Sequence, residues 1–563
     1  MTMKNAPWFK QYPKGIPHEI DADIYSSLVD LLDTGFKKYA NRPAMENMGK
    51  AMTYAELEEQ TNHMASYFQN QTNLRKGDRI ALQMPNLLQY PVVMFAALKC
   101  GLTVVNINPL YTAAEMKHQI NDAGARAIVI LENFAFNLES ILPETKIDLV
   151  ITTQIGDLFG GLKKILTNFV VKRIKKMVPS FHLPKAVKFN TAMKLGASTP
   201  FSPVAIDGED LAFLQYTGGT TGVSKGAMLT HRNLVANLEQ VSGWLEVCLE
   251  HGKEIVITPL PLYHIFALTS NCFTMFKFGA HNVLITNPRD LDTFTKEVSK
   301  HQFTIMTGVN TLFNSLVNHE GFQKLDFSKL KVALGGGMAV QKSVAEKWMQ
   351  VTGSPLTEGY GLTETSPVLT VNPMDGSHRS GTIGVPMPST DIKLVNEKGE
   401  EVGFNEPGEL YARGPQIMKG YWNQPEETAN VMEGEWFKTG DIATLDEDGF
   451  LKIVDRKKEM ILVSGFNVYP NEVEEAIAAH PKVLEVGAIG VPNSRSTEVV
   501  KVFIVKKDDS LTEEEIQEFA RQTLTAYKCP RHIEFCTELP KSNVGKILRR
   551  VLKENDAKNN SYD

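Results

Sequence analysis

The sequence has few cysteines, and no two of them are spaced as in a CxxC motif. The five cysteines of this 563-residue chain are scattered, at Cys100, Cys248, Cys272, Cys529 and Cys536. We therefore expect neither a metal framework nor a disulfide framework, and the pattern is typical of a reducing compartment.

Long apolar runs are also missing. The longest uncharged runs, 80–98 and 255–276, are interrupted by prolines and polar residues and are not continuously apolar over the roughly 18 residues that span a bilayer. The N-terminal stretch MTMKNAPWFKQYPKG lacks the apolar centre of a secretory signal. We expect a cytoplasmic protein, or one held peripherally on the cytoplasmic face of a membrane. The formal net charge of −6 argues against nucleic acid as the partner of the whole chain.

Apolar runs alternate with helical patterns through the first two-thirds of the chain. The runs RIALQMPN (79–86) and ARAIVIL (125–131) predict buried strands, while 87–100 and 112–123 predict helices. This alternation is typical of layered α/β folds with largely parallel sheets. The sequence therefore predicts an α/β protein, and its length predicts more than one domain.

The pattern changes twice towards the C-terminus. After about residue 380, segments such as YARGPQIMKGY indicate short antiparallel strands with Gly-centred turns, which predict a β-rich subdomain. After Asp455 a helix, two strands and a further helix predict a small α+β unit. We place the domains at 1–455 and 456–563.

The stretch YTGGTTGVSKGAMLTH (216–231) is rich in glycine and threonine and contains Lys225. Such a loop brings backbone N–H groups, hydroxyls and a cation towards an anion, and phosphate is the obvious candidate. The Walker pattern G-x-x-x-x-G-K-[ST] is not met, because Ser224 precedes the lysine and Gly226 follows it. Ordinary P-loop NTPase chemistry is therefore disfavoured.

Four further segments follow in a fixed order. They are TEGYGLTETSP (357–367), WFKTGDIA (436–443), IVDRKKEMILVSGFNVYPNEVE (453–474) and LPKSNVGKILRR, which contains Lys546. With the first stretch, this set resembles the adenylate-forming superfamily, specifically its acyl-CoA synthetases. The resemblance extends from about residue 25 to residue 550 and is closest to bacterial long-chain fatty-acid–CoA ligases.

The resemblance implies a reaction and its reagents. Such enzymes join a carboxylate to AMP, release pyrophosphate and pass the acyl group to a thiol, so ATP, Mg²⁺, CoA and a long-chain fatty acid are expected. It assigns catalytic roles to Lys546, Thr363, Glu364 and His264. It assigns the Mg²⁺ to Glu364 and Thr217. Cofactor contacts are assigned to Thr217, Gly218, Gly219, Thr220, Thr221, Gly222, Lys225, Gly335, Gly336, Gly337, Glu358, Gly359, Tyr360, Gly361, Asp441, Arg456, Lys458 and Gly465.

Within that set the resemblance also implies individual roles. The loop with Lys225 is expected to bind the phosphates, Asp441 to accept hydrogen bonds from the ribose, and Tyr360 to stack on adenine. The small domain is expected to be mobile and to rotate about Lys458 between the two half-reactions. Rotation would withdraw Lys546 and bring Gly465 to the thiol channel. His264 is expected to orient or gate the acyl group.

One segment has a charge bias of its own. Residues 158–206 contain nine lysines and arginines but no aspartate or glutamate. Within it, LKKILTNFVVKRIKKMV has apolar residues at helical spacing with basic residues around them. One interpretation is a helix lying on anionic lipid at the inner membrane, and the other is a solvated helix packed on the protein body.

Alternatives to a fatty-acid–CoA ligase remain. An amino-acid activator is disfavoured, since residues 259–285 contain no acidic partner for an ammonium group. An aryl-acid–CoA ligase, or an acyl-AMP ligase that serves a carrier protein, remains open. A non-catalytic lipid-binding membrane scaffold would need none of Lys225, Glu364, Asp441 and Lys546. Relatives are commonly dimeric, so a homodimer is also an expectation.

Overall fold

The computed structural model describes residues 6–217, 224–542, 545–560 and 562, and it confirms the α/β prediction. The α-helices are α1 (Leu28–Tyr39), α2 (Tyr54–Gln71), α3 (Gln89–Lys99), α4 (Ala113–Ala123), α5 (Ala135–Ile141), α6 (Gly161–Phe169), α7 (Phe189–Gly196), α8 (His231–Leu245), α9 (Thr274–Lys277), α10 (Leu291–Val298), α11 (Asn310–Val317), α12 (Glu320–Gln323), α13 (Lys342–Thr352), α14 (Pro425–Val431), α15 (Pro470–Ala478), α16 (Glu513–Thr523) and α17 (Arg549–Asn559).

The strands build four sheets. In chain order they are β1 (Pro43–Asn47), β2 (Lys50–Thr53), β3 (Arg79–Gln83), β4 (Thr103–Asn106), β5 (Ala127–Leu131), β6 (Leu149–Thr153), β7 (Val187–Lys188), β8 (Leu211–Thr217), β9 (Lys225–Thr230), β10 (Ile255–Thr258), β11 (His281–Leu284), β12 (Ile305–Gly308), β13 (Val332–Gly335), β14 (Leu356–Gly361), β15 (Val368–Val371), β16 (Val385–Pro386), β17 (Asp391–Val395), β18 (Gly408–Arg413), β19 (Met432–Glu433), β20 (Trp436–Leu445), β21 (Leu451–Arg456), β22 (Ile461–Val463), β23 (Phe466–Val468), β24 (Val483–Asn493), β25 (Thr497–Lys506) and β26 (His532–Cys536).

Two large sheets form the first two-thirds of the molecule. One has the order β7-β6-β5-β3-β4-β8-β9, and all its pairs are parallel except β8 with β9. The other has the order β16-β15-β14-β13-β12-β10-β11-β1-β2 and is parallel from β14 to β1. The strands are buried and β-branched, as parallel layers covered by helices require.

Buried side-chain amides join the two large sheets near the ends of their strands. Asn86, which follows β3, donates to the carbonyls of Thr258 (3.1 Å) and Leu260 (2.9 Å) beyond β10. Tyr90, on the fully buried helix α3, donates to the Asn106 side chain (2.6 Å) and to the Leu262 carbonyl (3.0 Å). These bonds fix the spacing of the sheets where ligands bind in α/β folds.

Two smaller sheets follow that are antiparallel, as the Gly-centred turns predict, except that β26 pairs with β25 in parallel. The first has the order β17-β18-β20-β19 with β21 beside β20, and the second has β23-β22-β25-β24 with β26 beside β25. Helices α15 and α16 pack on the second sheet around a separate apolar core. The predicted boundary at 455/456 falls at the end of β21 and remains a prediction.

The basic segment differs from the continuous helix predicted for it. Helix α6 ends at Phe169, a π-helical turn covers Val170–Ile174, and Lys176 has a φ of 49°. A residue with positive φ ends helical geometry, which explains why the pattern does not continue to residue 178. Among the helices of the described ranges, none has both the length and the apolar character needed to cross a membrane.

Candidate active site

The Gly/Thr-rich stretch forms the hairpin of β8 and β9. Thr217 and Lys225 face each other across the two strands where the hairpin leaves the sheet, while Gly218, Gly219, Thr220, Thr221 and Gly222 lie outside the described residues. The Lys225 ammonium pairs with Glu427 and lies 5.1 Å from the centre of the Tyr421 ring. Both partners of this ion pair are partly exposed, so the pair is weak and the ammonium can bind an anion instead.

A short turn after β14 carries Glu364. The turn spans Thr363–Thr365 and packs against β8 and β9, which brings Glu364 to the base of the hairpin. The Glu364 side chain is buried, and its Oε1 accepts a hydrogen bond of 2.7 Å from the Tyr421 hydroxyl. Burial raises the pKa of Glu364, while the bond from Tyr421 lowers it.

Glycine is required where this turn begins. A Cβ on Gly361 would lie 1.9 Å from the carbonyl oxygen of Pro367, which no side chain could tolerate. At the neighbouring strand end, a Cβ on Gly336 would lie 3.1 Å from the Phe266 ring, and Gly337 has a φ of 78°. Gly335, at the end of β13, would place a Cβ 2.6 Å from Val340. The end of β14 therefore packs against backbone at Pro367, and the end of β13 packs against the side chains of Val340 and Phe266.

Glu358 lies beside these glycines, next to Gly359 on β14. Its carboxylate accepts a hydrogen bond of 3.1 Å from the Val340 N–H, and burial raises its pKa to about 7. The resemblance assigns this strand end to the adenine pocket, and that role stays a prediction.

Asp441 and Arg456 are direct neighbours on β20 and β21. The Arg456 Nε lies 3.3 Å from Asp441 Oδ1, and the Tyr360 hydroxyl donates to Asp441 Oδ2 at 2.5 Å. Asp441 is 3% exposed, so this carboxylate is held rigidly by both partners. The hydroxyl bond of Tyr360 was not foreseen from the sequence, which suggested only a stacking ring.

Lys546 joins these groups from the C-terminal segment. Its loop contacts the large domain through Thr311, whose hydroxyl donates to the Gly545 carbonyl at 3.0 Å. Burial and the charge of Arg456 lower the pKa of Lys546 to about 8, while Asp441 and Glu459 act in the opposite direction. Lys546 therefore lies in the same electrostatic environment as the Asp441–Arg456 pair.

His264 faces the same region. Its Nδ1 accepts a 3.4 Å hydrogen bond from the Phe266 N–H, and burial together with Lys546 lowers its pKa to about 4. With so low a pKa the imidazole is a weak base at pH 7, which agrees with an orienting role rather than general-base catalysis.

A buried arginine holds the Lys546 segment, and sequence reasoning missed it. Arg549, three residues after Lys546, donates to Asp455 Oδ1 at 3.1 Å and to Glu474 Oε2 at 2.7 Å. It also bonds Glu459 and the side chain of Asn471. Asp455 precedes the predicted hinge, whereas the other partners follow it, so this network spans the connection between the domains.

Gly465 does not contact this group among the described residues. Gly465 lies in the exposed turn between β22 and β23 with a φ of 84°, and no described residue lies within 4 Å of the position a Cβ would take. Lys458 acts electrostatically on Glu427, together with Lys225, and both cations lower the pKa of that carboxyl.

Comparisons with known proteins show the family of the chain. Residues 32–422 match the AMP-binding enzyme family, and residues 472–546 match the AMP-binding enzyme C-terminal domain. The chain therefore belongs to the AMP-binding enzyme family, and within it to the family of the long-chain-fatty-acid–CoA ligases.

Three relatives illustrate the similarity. A long-chain-fatty-acid–CoA ligase of Escherichia coli O157:H7 is 55% identical over 97% of this chain and 98% of its own length. One from Haemophilus influenzae is 50% identical over 98% of both chains. The crystal structure of the anthranilate CoA ligase AuaEII with anthranoyl-AMP has a TM-score of 0.86 at 24% identity, covering 96% of this chain and 99% of that one, and supports the fold.

Proposed function

We infer that this chain is an ATP-dependent long-chain-fatty-acid–CoA ligase. A fatty acid and ATP give acyl-AMP and pyrophosphate, and acyl-AMP and CoA then give acyl-CoA and AMP. The observation that carries the proposal is that Lys546, from the small domain, interacts electrostatically with the Asp441–Arg456 pair at the domain boundary. The chain is also 55% identical to a protein named long-chain-fatty-acid–CoA ligase.

In the first step a fatty-acid carboxylate oxygen attacks the α-phosphorus of ATP, and the bond from that phosphorus to the pyrophosphate oxygen breaks. Two anions must meet, so positive charge at the α-phosphate lowers the barrier. Lys546 supplies this charge from a flexible stem in partly buried surroundings. We assign the departing pyrophosphate to Lys225, which faces Thr217 across the hairpin of β8 and β9.

The oxygen ligands around Glu364 fit Mg²⁺. The Glu364 carboxylate is a hard anionic ligand, and its turn packs on the hairpin that carries the Thr217 hydroxyl. Tyr421 uses only Oε1 of that carboxylate as an acceptor. We propose that Glu364, with Thr217, holds the ion, which when bound offsets the charge of the phosphates.

The remaining polar groups support nucleotide binding. Two oxygens of one carboxylate suit two neighbouring ribose hydroxyls, and Asp441 presents such a carboxylate beside the cation of Arg456. We assign the adenine pocket to the strand ends at Gly336 and Gly361, where close packing against Phe266 and Pro367 requires glycine.

In the second step the CoA sulfur attacks the acyl carbon, AMP leaves, and the thiol proton is released. We propose that the small domain rotates about Lys458 between the steps. The exposed turn at Gly465 supports this, because a residue without a side chain suits a thiol channel that forms only after rotation.

Product analysis tests the reaction. The purified chain is incubated with ATP, Mg²⁺, CoA and an equimolar series of short to long fatty acids together with cinnamate-type acids, and mass spectrometry identifies the products. We expect long-chain acyl-CoA and AMP. Acyl-AMP without thioester would indicate a carrier-protein acceptor instead, and aryl-CoA would indicate an aryl-acid ligase.

We also propose that the basic segment binds an anionic membrane surface. No residue of α6 or of the following π turn is buried, and Leu162 and Ile165 are 84% and 66% exposed. Soluble proteins rarely expose such a contiguous apolar face unless it binds something. The basic residues around it favour anionic lipid as that surface.

Vesicle sedimentation tests the membrane proposal. Leu162→Glu combined with Ile165→Glu should abolish co-sedimentation with anionic vesicles at low salt, because each carboxylate repels the surface and removes apolar contact. Met349→Glu is the control, since Met349 is likewise an exposed apolar residue (50% exposed) but lies on α13, outside the basic segment. Equal binding by all three proteins would contradict the proposal.

A further inference from the structure

Two histidines and one glutamate converge at the β1–β11 edge of the nine-stranded sheet. Glu46 lies on β1, His281 begins the adjacent β11, and His301 lies in the connection between α10 and β12. The register pairs Glu46 with Val283, so His281, two residues away, projects from the same face as Val283. No spacing in the sequence links the three, because three separate elements bring them together.

The geometry is that of a metal-binding set. His281 Nε2 lies 3.1 Å from Glu46 Oε2, and His301 Nε2 lies 3.4 Å from Glu46 Oε1. One ligand atom from each residue lies within 4.8 Å of the other two. Tetrahedral Zn²⁺ with bonds of about 2.0–2.1 Å separates its ligand atoms by about 3.3–3.4 Å, so small side-chain movements suffice.

The surroundings favour a ligand over a simple polar contact. The three side chains are only 12–14% exposed. The Nε2 of His281 makes no hydrogen bond of acceptable geometry with any described residue, although it points to the carboxylate. Glu297 lies within electrostatic range of Glu46 and His301, which adds a second carboxylate near the three residues.

We propose that Glu46, His281 and His301 bind one divalent cation of the Zn²⁺ class, with water as the remaining ligand. Two imidazole nitrogens and one carboxylate oxygen select a transition metal over Mg²⁺, which prefers oxygen ligands alone. The ion would join β1, β11 and the connection ahead of β12, and would thereby stabilise the folded chain. It is separate from the Mg²⁺ proposed at Glu364.

Cobalt titration tests the site directly. The untagged full-length protein is stripped with a chelator and titrated with Co²⁺ in the presence of excess Mg²⁺, which occupies oxygen-only sites. We expect one equivalent of Co²⁺ to give the visible spectrum of a tetrahedral complex, and one equivalent of Zn²⁺ to remove it. A wild-type protein that binds no stoichiometric Co²⁺ or Zn²⁺ would overturn the proposal.

Matched variants locate the ion. His281→Gln and His301→Gln should each lose the cobalt spectrum and the rise in unfolding temperature that Zn²⁺ gives the wild type. His319→Gln should keep both, although His319 also lies 3.1 Å from a carboxylate, that of Asp292. Circular dichroism confirms that each variant is folded. Unchanged metal binding in the first two variants would refute the site and leave a histidine–glutamate ion pair.

Discussion

The contact between Arg549 and Asp455 should control how often Lys546 occupies the active site. Asp455 lies before the predicted hinge at Lys458, while Arg549 and Lys546 lie after it, so rotation of the small domain must break this contact. Asp455 is fully buried and Arg549 is nearly so. The variant Asp455→Asn keeps the shape of the side chain but removes the charge.

The size of the effect follows from the burial. A buried hydrogen bond to a charged group contributes about 1.5–3 kcal/mol, and a difference of about 1.4 kcal/mol is a factor of ten in an equilibrium. An enzyme that visits two arrangements in every turnover cannot favour either by much more than this. We therefore expect acyl-AMP formation to fall about tenfold or more, and thioester formation from supplied acyl-AMP to stay within about twofold of the wild type.

Single-turnover assays of the two half-reactions measure this split. Glu474→Gln is the matched control, because Glu474 bonds the same arginine but follows the hinge and moves with it. It should lower the stability of the small domain without changing the ratio of the two half-reaction rates. If Asp455→Asn slowed both half-reactions equally, or if Glu474→Gln gave the same split, the hinge-spanning contact would not have the role we assign to it.

Three further predictions concern individual groups. For acyl-AMP formation, kcat/KM should fall below about pH 6, where Asp455 gains a proton, and above about pH 8, where Lys546 loses one; a flat profile from pH 5 to 9 would contradict both assignments. Tyr421→Phe should raise the Mg²⁺ concentration needed for half-maximal adenylation, since Glu364 loses the hydroxyl that orients it, and an unchanged Mg²⁺ dependence would count against this. Gly465→Val should spare acyl-AMP formation but block thioester formation, with thermal unfolding as the control for backbone strain at a φ of 84°; normal thioester formation would exclude Gly465 from the channel.

Local sequence signals predicted much of the fold. Thr53 and Glu56 fit the sequence pattern S/T-x-x-E, which predicts a capping box at a helix start. Helix α2 begins at this capping box in the structure. The buried strands β3 and β5 were visible as apolar runs. The end of the helical segment formed by α6 and the π turn was not, because it depends on a positive φ at Lys176, a residue type that gives no such signal.

The residues of the candidate site could be predicted only where they lie in recognisable sequence motifs. Lys546, Glu364 and Asp441 lie in recognisable motifs. Tyr421 and Arg549 instead act through tertiary contacts, with Glu364 at a sequence separation of 57 positions and with Asp455 at a separation of 94 positions. The aromatic residue at 421 and the arginine pair at 549–550 have no local pattern that reveals a buried partner. The Glu46, His281 and His301 cluster was missed for the same reason.

The central claim is that Lys546 acts in acyl-AMP formation within a two-step ligase. The most direct measurement compares wild type and Lys546→Ala in the two half-reactions, with a long-chain fatty acid and ATP for the first and supplied acyl-AMP and CoA for the second. We predict that acyl-AMP formation is nearly abolished in the variant while thioester formation survives. An equal loss in both half-reactions would contradict the role of Lys546 and the two-arrangement account built on it.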